Sequence, residues 1–170
     1  MTNKPIWLGN GLFYFNYGET DETLVGATKG GGSFAVEREY KPIERDGTYG
    51  TVKGEVRKIS VVPKLTINAL ELSTDNLEKF YGMTASEETG YTKLTEGVDV
   101  ADTDFIKNVA FVGKRADGKQ IVIIVENALG NGNLELAFEN KEEVATEVTY
   151  EGCYDPTALE TPPYEIRLYA

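Results

Sequence analysis

Three short patterns in this chain contain residue types that can do chemistry, and each lacks a part that the chemistry needs. The run Gly30–Gly32 could cradle a phosphate, but no Lys-Ser/Thr pair follows it, and a strand pattern stands where a helix N-terminus is required. Asp99, Asp102 and Asp104 offer oxygen ligands, but their spacing lacks the mid-loop glycine and closing glutamate of a calcium loop. Cys153 lies in a strand-like segment, which favours a buried thiol over a nucleophile. We therefore expect no metal site.

Histidine is missing from all 170 positions, which removes the commonest general base and the commonest metal ligand. The 28 acidic residues stand singly along strand patterns, so no pair of carboxylates marks an acid–base site. The sequence therefore predicts a protein that is not an enzyme and has no cofactor. The net charge of −11 is concentrated in residues 86–170, which hold seven Lys/Arg against seventeen Asp/Glu. A free-standing nucleic-acid binder needs the opposite sign.

The length fits one domain, 1–170. We interpret the first part of this domain as an N-terminal arm at about 1–32, followed by a long hairpin at about 33–72. The aromatic stretch Leu12–Phe15 suits an arm that packs through its aromatics and an ordinary first strand equally well. No apolar run approaches the roughly 18 to 20 residues needed to span a bilayer, so no membrane partner is expected. A flexible joint between arm and hairpin is predicted at Gly30, Gly31 and Gly32.

The long hairpin is two-sided, because side chains alternate between the faces of a strand. Phe34, Val36 and Tyr40 share one face of the outgoing arm, and residues 59–69 of the return arm alternate in the same way. Pro63 cannot donate to a ladder and should lie at a bulge, an edge or a bend, so we expect a kink there and two strand segments in the return arm.

A polar tip of eleven residues joins the two arms, which is longer than a tight turn needs. Loops of excess length are usually functional. We predict that the tip crosses to a neighbouring subunit or ring. Its residues are Glu44, Arg45, Asp46, Gly47, Thr48, Tyr49, Gly50, Thr51, Val52, Lys53 and Gly54.

Downstream of the hairpin the spacing of apolar residues predicts one short helix at about Thr74–Tyr81. Residues 84–103 are polar, and we expect them to be irregular. Ile121–Val125 is apolar on both faces, which indicates a central strand. Further strand patterns occupy 108–113, 120–128, 134–138, 144–154 and 164–168. About seven strand segments without alternating helices predict a mainly β fold. We expect an antiparallel β-sandwich or barrel with one short flanking α-helix and a long extended hairpin.

A series of short motifs, in a fixed order, covers most of the chain. They are Gly26–Tyr40, Ile43-Glu44, Asp46-Gly47, Tyr49-Gly50, Val52-Lys53-Gly54, Val62–Thr66, Asn127-Ala128-Leu129 and Tyr154-Asp155-Pro156. This order resembles the pattern of phage major tail proteins, the tail-tube subunits of phages and prophages of Gram-positive bacteria. The stretch Gly26–Thr66 is the most specific part of the resemblance.

The resemblance implies a β-sandwich subunit that stacks as hexameric rings, with inner strands joined into a continuous barrel around a channel for DNA. It implies a structural activity, with neither cofactor nor catalytic residue. The expected partners are further copies of the chain, the tape-measure protein, and the tail-terminator and tail-tip proteins. Viral DNA is expected to pass through the channel without specific binding. The expected location is the virion tail, after assembly in the host bacterial cytoplasm.

A channel that conducts DNA must let a polyanion slide, and carboxylates on its wall achieve this by repulsion. Our candidates for the lumen face are Glu37, Glu39, Glu147 and Glu151. A solvated outer face would suit the same four side chains, so the opposite assignment of the strands stays open.

The competing interpretation is a β-sandwich that decorates a virion or cell surface and binds carbohydrate. Its candidate contacts are exposed aromatics such as Trp7, Tyr49 and Tyr91. No aromatic cluster marks one set of predicted loops, which favours the tube over this module.

Overall fold

The computed structural model describes residues 4–170, and strands dominate it. Over this range the chain forms ten strands, one α-helix and a short 3-10 turn at Asp102–Asp104. The main elements are β1 (Trp7–Phe15), β2 (Thr23–Leu24), β3 (Thr28–Pro42), β4 (Val56–Ala69), α1 (Thr74–Tyr81), β5 (Met83–Glu88), β6 (Tyr91–Glu96), β7 (Phe105–Arg115), β8 (Gln120–Gly130), β9 (Thr146–Gly152) and β10 (Tyr164–Leu168). The predicted mainly β class with one short helix is confirmed. No helix within 4–170 has the length and apolarity to cross a membrane.

Eight strands form one antiparallel sheet in the order β2-β1-β7-β8-β9-β4-β3, with β10 also paired to β8. The first part of β8, Ile121–Val125, lies between β7 and β10, whereas Ala128–Gly130 pairs with β9. The sheet therefore divides at β8, and its two halves pack face to face as a sandwich. Strands β5 and β6 form a separate hairpin.

One apolar core joins the two halves. Leu65 of β4 contributes from one half and Phe15 of β1 from the other. The rings of Phe15 and Tyr150 meet edge to face with 6.1 Å between centroids, an arrangement that aromatic pairs favour. Burial raises the pKa of Tyr150, whose hydroxyl donates to the backbone carbonyl of Lys79 at 3.2 Å. The one polar group of this buried ring is therefore satisfied by the helix that covers it.

Helix α1 covers the core with the bounds that the sequence predicts. The Ser73 side chain accepts a hydrogen bond from the Asn76 backbone N–H at 3.2 Å, and Gly82 ends the helix in the left-handed region at φ 64°. Phe80 and Tyr81 are buried on its inner face. Local capping fixes the ends of the helix, and burial of its aromatic face holds it on the sheet.

The hairpin of β7 and β8 has a tight turn at 116–119, with Gly118 at φ 82°. Arg115 Nε donates to Asp117 Oδ1 at 3.0 Å, and a second guanidinium nitrogen binds Asp117 Oδ2. This pairing holds the pKa of the Asp117 carboxyl below its usual range. All five side chains of Ile121–Val125 are buried, which confirms the predicted central strand.

Strand β4 runs unbroken through Pro63, so the predicted kink and two-segment return arm are wrong. β9 pairs with β4 only from Lys64 to Ala69. The Tyr154 hydroxyl donates to the Val61 carbonyl at 2.9 Å, on this side of β4 and beyond the end of β9. Because alternate residues direct their backbone groups to the same side, the missing N–H of Pro63 faces this unpaired side. The ladder therefore loses no hydrogen bond.

Two further stretches differ from the sequence prediction. Residues 84–103, expected to be irregular, contain most of the β5–β6 hairpin, with Gly90 at φ 90° in its turn. This hairpin is largely exposed, so its sequence shows no apolar alternation. Residues 134–138, expected to be a strand, form none, and the side chains of Leu134 and Phe138 are 44% and 80% exposed.

Candidate functional site

The outward side chains of β3, β4 and β9 form a continuous polar surface, which we call the acidic face. Odd-numbered residues from Val61 to Ala69 of β4 are buried, so the even-numbered residues point outward. The strand register places outward residues of β3 and β9 beside them. The acidic face comprises Ser33, Ala35, Glu37, Glu39, Ser60, Val62, Lys64, Thr66, Asn68, Glu147, Thr149 and Glu151.

All four predicted lumen candidates lie on the acidic face. Glu37 and Glu39 pair with Val62 and Ser60 across the β3–β4 ladder. Glu147 and Glu151 pair with Asn68 and Lys64 across the β4–β9 ladder. Glu37, Glu39 and Glu147 are exposed and Glu151 is half-buried. The structure thus brings together residues that are more than 100 positions apart in the sequence.

The charge of the acidic face is partly offset by one lysine. Lys64 Nζ lies 3.0 Å from each carboxylate oxygen of Glu37, and this contact raises the pKa of Lys64. Asn131 Nδ2 donates to Glu151 Oε2 at 2.7 Å, which orients that carboxylate. Four carboxylates and one ammonium give the twelve positions a net charge of −3.

The two central positions of the acidic face, Thr66 and Thr149, are joined by a hydrogen bond of 3.2 Å between their hydroxyl oxygens.

No family model and no curated protein matches this chain. The side chains of the acidic face are mostly carboxylates and small hydroxyls. Such a surface is well hydrated, repels polyanions and offers an apolar ligand little contact.

The sequence predicts that the glycine run precedes the hairpin. In the structure Gly30, Gly31 and Gly32 lie inside β3. Thr28 pairs with Ala69 and Gly32 with Ile67, so β3 has a bulge of two extra residues. Gly30 and Gly31 occupy the bulge at φ 84° and 74°, a region that glycine adopts without strain. The predicted joint is therefore a bulge within a strand.

The segment upstream of the glycine run is an ordinary strand of the sheet. β1 pairs with β7 and buries Phe13 and Phe15 in the core. At Gly32 a side chain would clash, because a Cβ there would lie 2.3 Å from the Thr66 carbonyl oxygen and 2.8 Å from Phe13 Cζ. Of the two interpretations of this aromatic stretch, the structure supports the first strand, and β1 and β3 approach closely at Gly32.

The tip lies where the sequence predicts, at the far end of the β3–β4 hairpin. Ile43 N–H donates to the Glu55 carbonyl at 2.8 Å and closes the hairpin just before it. Inside the loop, Arg45 forms an ion pair with Glu55 at 3.2 Å, and Thr48 Oγ1 donates to the Arg45 carbonyl at 3.0 Å. These contacts stay within the hairpin, and the Tyr49 ring is fully exposed.

We call residues 40–58, at this end of the molecule, the distal hairpin. Its exposed apolar side chains and its positive charge were not predicted from the sequence. The side chains of Tyr40, Ile43 and Val56, and that of Ile59 just beyond the hairpin, are 42% to 55% exposed. Residues 40–58 also hold five Lys/Arg against three Asp/Glu, so the segment is positive in a strongly negative chain. A count of charge along the sequence would have revealed this excess.

The three aromatic residues proposed for carbohydrate binding lie on three different elements. Trp7 begins β1 opposite Arg115, Tyr49 lies in the tip, and Tyr91 begins β6. The structure does not bring them into one platform.

Proposed function

We propose that this chain is a structural subunit of a bacteriophage tail tube, which stacks as hexameric rings around a channel that conducts DNA. The observation that carries the proposal is the acidic face, on which Glu37, Glu39, Glu147 and Glu151 share one surface of the sheet. The ordered motifs of Gly26–Thr66 add the resemblance to tail-tube subunits. In this proposal the acidic face lines the channel.

Charge and chemistry of the acidic face suit a wall along which DNA slides. Duplex DNA carries one negative charge per about 1.7 Å of its axis, and binding to it comes mainly from cations that neutralise phosphates. The single cation of the face, Lys64, is already bound to Glu37. The carboxylates therefore repel the passing phosphates, and the threonine hydroxyls contact them through water.

The edges of the sheet support assembly into rings. Within residues 4–170, β3 is the terminal strand of its sheet, and its fifteen residues present one unpaired edge. Long unpaired edges are templates for strand addition, and closed barrels remove them. A ring in which β3 meets a strand of the next copy would satisfy these backbone groups and continue the acidic face around the channel.

The proposed partners are those that the resemblance to tail-tube subunits implies. They are further copies of the chain within and between rings, the tape-measure protein inside the tube, and terminator and tip proteins at its ends. Viral DNA passes without specific binding. The proposed location is the virion tail, after assembly in the cytoplasm of the host bacterium.

Electron microscopy of the purified chain in negative stain tests the proposal. We expect rings or hollow tubes of uniform diameter with a central channel, and end views with six-fold symmetry. A protein that stays monomeric up to its solubility limit, at low and high salt, contradicts the proposal.

A further inference from the structure

We propose that the distal hairpin of one copy docks onto residues 133–143 of a second copy, a stretch that we call the acidic segment. This inference deepens the proposed function and rests on it for the existence of a contact between copies. It names the two surfaces that meet and makes the contact directional.

The acidic segment exposes apolar side chains. Leu134, Leu136 and Phe138 alternate with polar residues as in a strand, yet no strand within the described part of the chain pairs with this stretch. Leu134 is 44% exposed and Phe138 is 80% exposed. Exposed leucine and phenylalanine side chains of this kind are typical of contact surfaces.

The distal hairpin offers a matching set of side chains. Tyr40, Val56 and their neighbours Ile43 and Ile59 are about half exposed, and the hairpin reaches beyond the sandwich core. Burial of these apolar side chains against Leu134 and Phe138 would remove both sets of side chains from water.

The opposite net charges of the acidic segment and the distal hairpin favour a second copy of this chain as the partner that binds the acidic segment. The acidic segment holds four glutamates and one lysine, for a net charge of −3, whereas the distal hairpin has a net charge of +2. Lys29 of the same copy already binds Glu142 and Glu143, at 3.2 and 2.9 Å. Glu135 and Glu139 form no ion pair within residues 4–170 and remain for the lysines and arginines of a neighbour. Opposite charges of this kind steer association and fix its orientation.

A groove beside the acidic segment gives the partner's cations a place to enter. It has a volume of about 480 Å³, and the acidic segment contributes Glu139, Glu142 and Glu143 to its lining. The long side chains of Lys53 and Arg57 are exposed on the distal hairpin.

The two surfaces cannot meet within one copy. The Glu135 carbonyl accepts a hydrogen bond from Thr146 Oγ1 at 3.1 Å, and Thr146 pairs with Ala69 at the far end of β4. The distal hairpin starts at Lys58, near the other end of this strand, about 36 Å away at roughly 3.3 Å per residue. The contact is therefore head-to-tail between copies, and such heterologous contacts repeat into open-ended stacks.

Charge exchange between the two surfaces tests the inference. One variant carries Lys53→Glu and Arg57→Glu, and the other carries Glu135→Lys and Glu139→Lys. All four residues are exposed, so both variants should fold. Alone, each variant opposes like charges across every contact, and we expect the concentration needed for assembly to rise by at least about tenfold. Mixed in equal amounts, the two variants can alternate with opposite charges at every contact, and we expect assembly to return to nearly the wild-type concentration.

Matched controls carry the same charge changes elsewhere. Lys93→Glu with Lys114→Glu controls the first variant, and Glu88→Lys with Glu160→Lys controls the second, because all four side chains are exposed. Phe138→Ser tests the apolar part of the contact separately and should weaken assembly without affecting the fold. Sedimentation velocity at low and high salt provides the measurement.

The outcomes separate this inference from the proposed function. Tubes from wild-type protein with no recovery in the mixture, or equal losses in the controls, overturn the inference and leave the tube intact. A wild-type chain that does not assemble overturns both. Recovery that occurs only in the mixture supports the head-to-tail contact.

Discussion

Lys64 and Glu37 cross diagonally between β4 and β3, with the Lys64 ammonium 3.0 Å from both carboxylate oxygens. Glu151 stands directly opposite Lys64 on β9. The lysine thus lies between two rows of carboxylates and leaves the acidic face with a net charge of −3. Hydrogen bonding to Glu37 raises the pKa of Lys64.

Reversal of the carboxylates on the acidic face should trap DNA in the channel. Lysine at positions 37, 39, 147 and 151 changes the charge of the face from −3 to +5 in every copy of a ring. Phosphates would then be held where they had been repelled, most strongly at low salt. We expect normal-looking tails and slowed or stalled DNA ejection from phage that carry the four lysines.

Two control variants show whether slowed ejection comes from the cations on the acidic face. Glutamine at the same four positions removes the repulsion without adding cations, so ejection should be close to normal. Lysine at Glu87, Glu88, Glu96 and Glu160 adds the same charge outside the acidic face. Unchanged ejection with the four lysines on the acidic face would place that face on the outside of the tube.

Removal of the tip should separate folding from assembly. Replacement of residues 44–54 by Asn-Gly leaves the Ile43–Glu55 backbone pair to close a two-residue turn. The tip's hydrogen bonds and ion pair lie within the hairpin, so the shortened chain should unfold at nearly the wild-type temperature. We expect a folded monomer that forms no tubes. Normal tubes in negative stain would show that the tip does not cross between copies.

Much of the fold could be predicted because its signals are local. Ser73 and Gly82 set the ends of α1, and the uninterrupted apolar run Ile121–Val125 indicates a strand covered on both faces. The alternation along β3 also assigned Glu37 and Glu39 to the polar face. Capping, burial and parity act over a few residues and are therefore visible in the sequence.

The errors arise where a distant partner decides the structure. Residues 134–138 alternate like a strand, but they pair with no strand among residues 4–170, and the side chain of Tyr81 from the helix contacts the start of β9. The Tyr81 hydroxyl lies 2.6 Å from Thr146 Oγ1 and donates to the Glu147 carbonyl at 3.4 Å. Pro63 is tolerated for a similar reason, since β9 ends before it. Neither strand pairing nor edge position can be deduced from local pattern.

A methyl group at Gly130 should push α1 off the sheet. A Cβ at this position would lie 2.1 Å from the Phe80 carbonyl oxygen, and Phe80 is fully buried. Gly130→Ala therefore forces the helix and β8 apart and should lower the free energy of unfolding by about 1 to 3 kcal/mol. Gly50→Ala is the control, because no atom lies within 4 Å of a Cβ there. Equal urea midpoints for the two variants would contradict the close approach of α1 and β8.

The ion pair at the β7–β8 turn should stabilise the fold in a pH-dependent way. The side chains of Arg115 and Asp117 are only 13% and 7% exposed, and Asp117 also accepts from the Lys119 backbone N–H at 3.2 Å. Because these contacts lower the pKa of Asp117 in the folded state, the stabilisation is fully present above the unfolded carboxyl pKa of about 3.9 and disappears as pH falls through the lower folded value. Asp117→Asn should therefore lower the urea midpoint at pH 7, and the difference from wild type should shrink towards pH 2. Asp46→Asn, in the exposed tip, should match wild type throughout. A difference for Asp117→Asn that stays constant from pH 7 to pH 2 would show that the carboxylate charge contributes nothing.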